Sequence, residues 1–232
     1  MRKVWVIVSV ALALAFGVVG AAIASSQFKQ TSKITLTATK PGKSTGFSAS
    51  IESSDPGAPN GQPQALKTLT VTFPKNTKFN FKSSAIKQCV ATDTELRATG
   101  GAVCPKKSKI GSGTAVANGA PVFPMIPEKA VAYVGSNEIR FLLTPTGPVG
   151  QTLVLHGRVS GNVMTTNVPA ITSGGLKIVI TALSLKINAF GSGKNAFVTS
   201  GVCSKKKFVV SAKFLYETGA KLTISSSSKC TP

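Results

Sequence analysis

The chain has 232 residues, with 27 Lys and Arg against 7 Asp and Glu, a single His and 4 Cys, for a formal net charge of +20. So few carboxylates and imidazoles argue against an enzyme, which needs convergent groups of those kinds. Nearly all the bases are lysines, which act as hydrated point charges rather than as the bidentate forks that read a phosphate or a base edge, and a chain this basic gathers on anionic surfaces.

The N-terminus, MRKVWVIVSVALALAFGVVGAAIASS, begins with Arg2 and Lys3, continues with an apolar run from Val4, and closes on the small-x-small triplet Ala22-Ile23-Ala24. That order predicts a secretory signal peptide over residues 1–24, cut before Ser25. The alternative is an uncleaved anchor, because residues 4–24 match the ~20 residues of a membrane-spanning helix. Cleavage removes Arg2 and Lys3 and no acidic residue, so the net charge falls from +20 to +18. Residues 25–232 are expected to form a single domain, with a subdivision near the proline-rich PVFPMIP (121–127) as the alternative.

Period-two alternation dominates residues 25–232, the mark of strands with one buried face. KITLTAT (33–39) sets Ile34, Leu36 and Ala38 inward, and GFSASIE (46–52) does the same with Phe47, Ala49 and Ile51. SSDPGAPNGQPQ (53–64) reads as a mobile surface loop. LTVTFP (69–74) turns Leu69, Val71 and Phe73 inward. Residues 82–101 hold the helical signals. Thr92 and Glu95 have capping-box spacing, Asp93 and Arg97 stand one turn apart, and Gly100-Gly101 supplies a stop. One or two short helical turns near 83–99 are expected between strands, not a packing helix.

TLVLHGRV (152–159) gives Leu153, Leu155 and Val159 the inward parity, leaving His156 and Arg158 on the outer, solvated face. In LKIVITALSLKI (176–187), Leu176, Ile178 and Ile180 share one parity but Leu183, Leu185 and Ile187 share the other. A β-bulge, or a strand bending from one sheet into another, would produce that switch. KFVVSAKFLY (207–216) returns to strict alternation, with Phe208, Val210, Ala212, Phe214 and Tyr216 inward.

Four cysteines in an exported chain imply two disulfides, with three pairings open. Cys89–Cys104 with Cys203–Cys230 closes the shortest loops, each contributing roughly 3–4 kcal/mol in the loop-entropy model, and is the pairing expected. A zinc site would need closely spaced ligands such as Cys-x-x-Cys, and none is present. GAVCPKKSKI (101–110) and SGVCSKKKFV (200–209) echo each other: each sets a cysteine at a turn, then exposed lysines, then a strand. Shared turn-and-disulfide chemistry explains the echo more economically than a duplicated binding device.

Familiar catalytic signatures fail on their details. GSGKN (191–195) has Asn188 where a P-loop needs glycine and Asn195 where it needs Ser or Thr. GSGTAVANG (111–119) misses the dinucleotide fingerprint, and no Gly-x-Ser-x-Gly elbow occurs. The only tryptophan, Trp5, falls in the signal segment, which disfavours an immunoglobulin domain. The lysine clusters lack outward aromatic neighbours, so specific nucleic-acid binding is not expected.

The segments 89–115 and 197–230 resemble a group of uncharacterised exported proteins of actinobacteria. The resemblance rests on Cys89, Cys104, Pro105, Ser108, Ile110 and Gly111, followed by Cys203 and Cys230 around a C-terminal hairpin. It implies a disulfide-bonded β-sandwich at or outside the cell surface, with no established activity. The sequence thus predicts an all-β, antiparallel β-sandwich, secreted or at the cell surface, non-catalytic and without cofactor. Its expected partner is an anionic cell-wall polymer or phospholipid surface, met by Lys106, Lys107, Lys109, Lys205, Lys206 and Lys207. A structural or adhesion role with a protein partner is the alternative.

Overall fold

Alternating sequences with branched and aromatic residues on one parity favour the pleated backbone, and such stretches fill most of the chain. The computed structural model describes residues 27–231; the predicted signal helix and its cleavage site lie outside the described residues. The strands are β1 (Lys29–Leu36), β2 (Phe47–Ser54), β3 (Leu66–Thr72), β4 (Lys78–Phe79), β5 (Lys109–Gly119), β6 (Phe123–Val134) and β7 (Glu138–Pro145). They continue as β8 (Leu153–Ser160), β9 (Val163–Asn167), β10 (Ile171–Ser173), β11 (Leu176–Ile187), β12 (Val198–Thr199), β13 (Lys207–Tyr216) and β14 (Lys221–Lys229). One α-helix, α1 (Asp93–Thr99), falls between β4 and β5.

Twelve strands form one antiparallel sheet in the order β1-β2-β11-β5-β6-β7-β8-β9-β3-β13-β14, with β10 attached to β11. The all-β, antiparallel expectation holds. The pairing, however, runs through one continuous sheet rather than through the two facing sheets of a sandwich. That sheet curls until its edges meet. β1 and β14 form no backbone ladder; Ser226 of β14 bridges them instead. Its hydroxyl accepts from the Ile34 N–H at 3.1 Å and donates to the Ser32 carbonyl at 3.1 Å. One side chain thereby satisfies a donor and an acceptor that an open edge would leave unpaired. The Ser32 and Ser228 hydroxyls are buried without partners.

The parity switch in β11 is a bulge. Its register against β5 slips between Ile180 and Ala182, which lets Ile178 on one side and Leu185 on the other both reach the core. β11 stays in the same sheet throughout, paired to β5 along both halves and to β2 along the second. Gly113 makes the close approach of β5 to β11 feasible, since a Cβ there would lie 1.9 Å from the Ser184 carbonyl oxygen.

A closed sheet of about eight strands is just wide enough for its own side chains to fill. This one has more strands, and other groups must occupy the interior. At one end, segments 73–90 and 188–203 cross the opening and meet through the two-stranded β4–β12 pairing, Val198 opposite Phe79. They carry Phe79, Phe81 and Phe197 against Phe47 and Phe73. The Phe47–Phe73, Phe73–Phe79 and Phe81–Phe197 centroids lie 5.1, 5.3 and 5.6 Å apart in edge-on contacts. That geometry is the one aromatic quadrupoles favour.

Contrary to expectation, α1 packs. Leu96 is fully buried with Cys89, Cys104, Val131, Tyr133, Leu142 and Val154 in a second core on the outer face of β6, β7 and β8. These strands are apolar on both faces, and the helix covers the outer one. The predicted capping box is present: the Glu95 N–H donates to Thr92 Oγ1 at 3.2 Å and the Thr92 N–H to Glu95 Oε2 at 2.7 Å. Loop 53–64 also differs from the mobile loop expected. Asp55 is buried, and Gln62 Nε2 donates to the carbonyls of Asn118 and Lys177 at 2.8 and 2.9 Å.

Both expected disulfides are formed, Cys89–Cys104 beneath α1 and Cys203–Cys230 at the plugged end. No helix among the described residues is long and apolar enough to cross a membrane.

The seam gives the first testable outcome. Ser226→Ala leaves the Ile34 N–H and the Ser32 carbonyl without partners, a loss of roughly 1–3 kcal/mol. Ser225→Ala, on the exposed parity of the same strand, should be close to neutral. Urea unfolding of both variants, compared by midpoint, checks the difference.

Candidate functional site

The plugged end gathers the lysines. Loops 37–46, 73–90, 105–109 and 188–207 meet there and are tied to one another by hydrogen bonds. The Ser200 hydroxyl donates to the Lys40 carbonyl at 2.7 Å, the Val202 N–H to the Lys75 carbonyl at 2.8 Å, and the Lys87 N–H to the Lys107 carbonyl at 3.2 Å. The Cys230 N–H donates to the Lys206 carbonyl at 3.0 Å. Every lysine in these segments is exposed, among them Lys40, Lys43, Lys75, Lys78, Lys82, Lys87 and Lys194 besides the six predicted from the sequence. The same segments contain no Asp or Glu. The end is a cationic surface built on braced loops.

The six sequence-predicted lysines share this end but not one flank of it. Lys109 opens β5 and Lys207 opens β13. Between them lie β11, β2, β1 and β14 one way round, and β6, β7, β8, β9 and β3 the other. The echoed sequences also use different turns. Pro105 leads into a 3-10 turn over Lys106–Ser108, whose Ser108 N–H donates to the Pro105 carbonyl at 2.8 Å. Ser204 and Lys207 instead exchange backbone hydrogen bonds of 3.1 and 2.9 Å around Lys205 and Lys206, at φ 49° and 61°. Two successive positive φ values are normally supplied by pairs such as Asn-Gly. Lysine there is strained, and the turn presents both ammonium groups outward at that cost.

A second polar group lies on the outer wall. β7 and β8 place Arg140 opposite His156. His156 Nδ1 is 3.1 Å from both Glu138 carboxylate oxygens, and its Nε2 is 2.9 Å from Asp93 Oδ2. Arg140 Nε donates to Glu138 Oε1 at 2.8 Å, and its Nη1 to the Ala91 carbonyl. His156 does point outward, as its parity requires, but it is half-buried beneath α1 rather than solvated. Asp93 turns to His156 and not to Arg97. The network fastens the helix N-terminus to the sheet. Sequence parity puts His156 and Arg158 on one face; the Glu138 and Asp93 partners depend on strand register and helix docking, which parity does not carry. Among the described residues no group of three or more His, Cys, Asp or Glu is arranged to hold a metal ion.

Two interior groups stand out electrostatically. Tyr216 is pushed up to about 12 by burial, and its hydroxyl donates to Gln30 Oε1 at 2.9 Å. Glu128 shares the inward parity of Ile126, Ala130, Ala132 and Val134 on β6. Its Oε2 is buried without a partner, and desolvation raises its pKa to about 7. The Glu95 carboxyl at the helix cap moves the other way, held below its ordinary value by the Thr92 backbone N–H and hydroxyl.

No protein-family model, no curated protein and no solved structure matches this chain.

Glu128 sets a pH dependence. Its folded pKa of about 7 lies above the ordinary 4.5, so between those values the folded chain keeps a proton that the unfolded chain has released. Its contribution to stability is full below pH 4.5 and is lost as pH rises through 7. Glu128→Gln removes the titration. The variant and wild type should unfold alike below pH 4.5, with the variant increasingly the more stable as pH rises to about 7 and the difference constant beyond it; thermal midpoints across that range read the difference.

Proposed function

We propose that this protein is a non-catalytic, exported component of the cell envelope that docks end-on against anionic polymer or phospholipid through its basic loops. The observation that carries the reading is the sorting of charge: the four braced segments at the plugged end all bear exposed lysines and contain no Asp or Glu. Docking then involves the whole end, with Lys106, Lys107 and Lys109 on one side and Lys205, Lys206 and Lys207 on the other. The left-handed Lys205-Lys206 turn supports it, since a strained conformation is retained to present two charges. Exposed lysines near an anionic surface contribute about 1 kcal/mol each. Fields decay over about 8 Å at physiological salt, so only lysines presented on the docking end contribute. The disulfides and the resemblance to exported proteins support an oxidising, extracytoplasmic location.

Material recovered from the medium should have an intact mass that begins at Ser25; a chain retaining Met1 and fractionating with membranes would establish the anchored alternative. Glutamine at Lys106, Lys107, Lys109, Lys205, Lys206 and Lys207 should weaken binding to phosphatidylglycerol vesicles by at least about tenfold. Glutamine at six exposed lysines elsewhere on the sheet, Lys29, Lys33, Lys67, Lys129, Lys213 and Lys221, should weaken it much less. Equal losses would assign the affinity to net charge alone. No salt-dependent binding by the wild type would remove the docking role altogether.

A further inference from the structure

At the end opposite the basic loops, the β5–β6 hairpin carries a run of apolar residues that nothing covers. Pro121, Val122, Phe123, Pro124 and Met125 are all exposed, Val122 at 58% and Met125 at 72%. Soluble surfaces scatter such side chains singly, and a contiguous run marks an interaction site. The run also overhangs the sheet. β6 starts at Phe123, but its pairing with β7 starts only at Glu128, opposite Pro145. Residues 123–127 are held instead by β5 and by Thr146, whose N–H and hydroxyl donate to the Pro127 carbonyl at 3.0 and 3.2 Å. Within this stretch Ile126 alone is buried.

Two properties of the tip suit it to hydrocarbon. It carries no charge: none occurs between Lys109 and Glu128, nor between Arg140 and His156, the stretch that holds the adjoining β7–β8 connection. It also has fewer backbone donors to desolvate than ordinary chain. Pro121, Pro124 and Pro127 lack an N–H, and the Ala120 N–H donates to Asn118 Oδ1 at 2.8 Å. An unpaired backbone group is costly inside a bilayer, and the prolines lower that cost where the chain turns. A protein interface would instead ring its apolar centre with hydrogen-bonding groups. The formal charge of +20 on each chain opposes a second copy as the occupant. The described chain begins at Gln27 on the same side, because β1 runs from Lys29 toward the basic loops, so the segment preceding it joins the domain at the tip's end. We infer that the β5–β6 tip inserts Val122, Phe123 and Met125 into the interfacial layer of a lipid bilayer, with the basic loops turned away from it. The insertion needs neither lysine nor anionic lipid and stands apart from docking by the basic end.

The tip can be given its own fluorophore. Trp5 is the only tryptophan, so Phe123→Trp, combined with Trp5→Phe where residues 1–24 are retained, leaves a single indole in the protein. On addition of phosphatidylcholine vesicles its emission should shift to the blue, and lipids brominated on the acyl chain should quench it. Molar salt should leave both unchanged, since this lipid has no net charge. In the same background, Val122→Asp with Met125→Asp should raise the lipid concentration at half-maximal shift by at least about tenfold. Both positions are exposed, and an unchanged urea midpoint checks that the variant folds. Val90→Asp charges another apolar residue, 85% exposed and outside the tip, and should leave the titration unchanged. Glutamine at the six basic-loop lysines should also leave it unchanged; loss of the shift in that variant would assign the binding to the docking end and overturn the inference. An indole that stays in water at saturating lipid would overturn it too. So would a shift that survives Val122→Asp with Met125→Asp, or one that Val90→Asp weakens equally. Cross-linking of p-benzoylphenylalanine in place of Phe123 to an envelope protein, with no shift on vesicles, would assign the tip to a protein partner and overturn the membrane reading.

Discussion

The architecture turns on how the sheet resolves its two free edges. An uncovered edge strand exposes a row of unpaired backbone donors and acceptors, and here β1 and β14 are brought side by side without forming a ladder. Ser226 acts as a surrogate for a backbone group, accepting from one residue of β1 and donating to another. Curling this many strands around a common interior creates a space their own side chains do not fill. The remaining features answer that excess width. The bulge in β11 adjusts curvature and the facing of its side chains, glycine lets β5 and β11 approach, and the phenylalanine-bearing segments close one end.

Closing one end and not the other separates two kinds of surface. The closed end needs long crossing loops, and those loops carry exposed lysines and no Asp or Glu of their own. The other end keeps apolar side chains half-covered. Glu52, Asp55, Glu128 and Glu217 lie on strands or loops toward the open end, and Asp93, Glu95 and Glu138 lie at or beneath α1 on the outer wall, where Asp93 and Glu138 are engaged by His156 and Arg140. In a chain with so few acids, that placement is what converts a general excess of positive charge into a directional one.

Much of this organisation is legible in the sequence because period-two alternation is a local property. The inward sets of β1, β2, β3 and β13, the parity switch in β11, the capping box and the disulfide pairing all come from neighbours in the chain. What escapes depends on distant residues. Whether the strands form two sheets or one is decided by pairings such as β2 with β11 and β3 with β9, which alternation does not encode. α1 shows only Leu96 as an apolar anchor; its partners, Val131, Tyr133, Leu142 and Val154, are recognisable as an outer core only once three strands are aligned. The two lysine clusters are visible in the sequence, but their half-turn separation around the sheet comes from strand order.

The seam also has a kinetic meaning. Strands β5 to β9 form a meander of neighbours, whereas β1 reaches its Ser226 contact across most of the described chain. Non-local pairing of this sort places a fold at the slow, high-contact-order end of the spectrum. The meander can assemble early, but the edges meet only after β14 has emerged, and Cys203–Cys230 then fastens the last strand beside the turn that precedes β13. Until that moment both edges are open templates for another chain. The protein is therefore most exposed to misassembly at the close of folding.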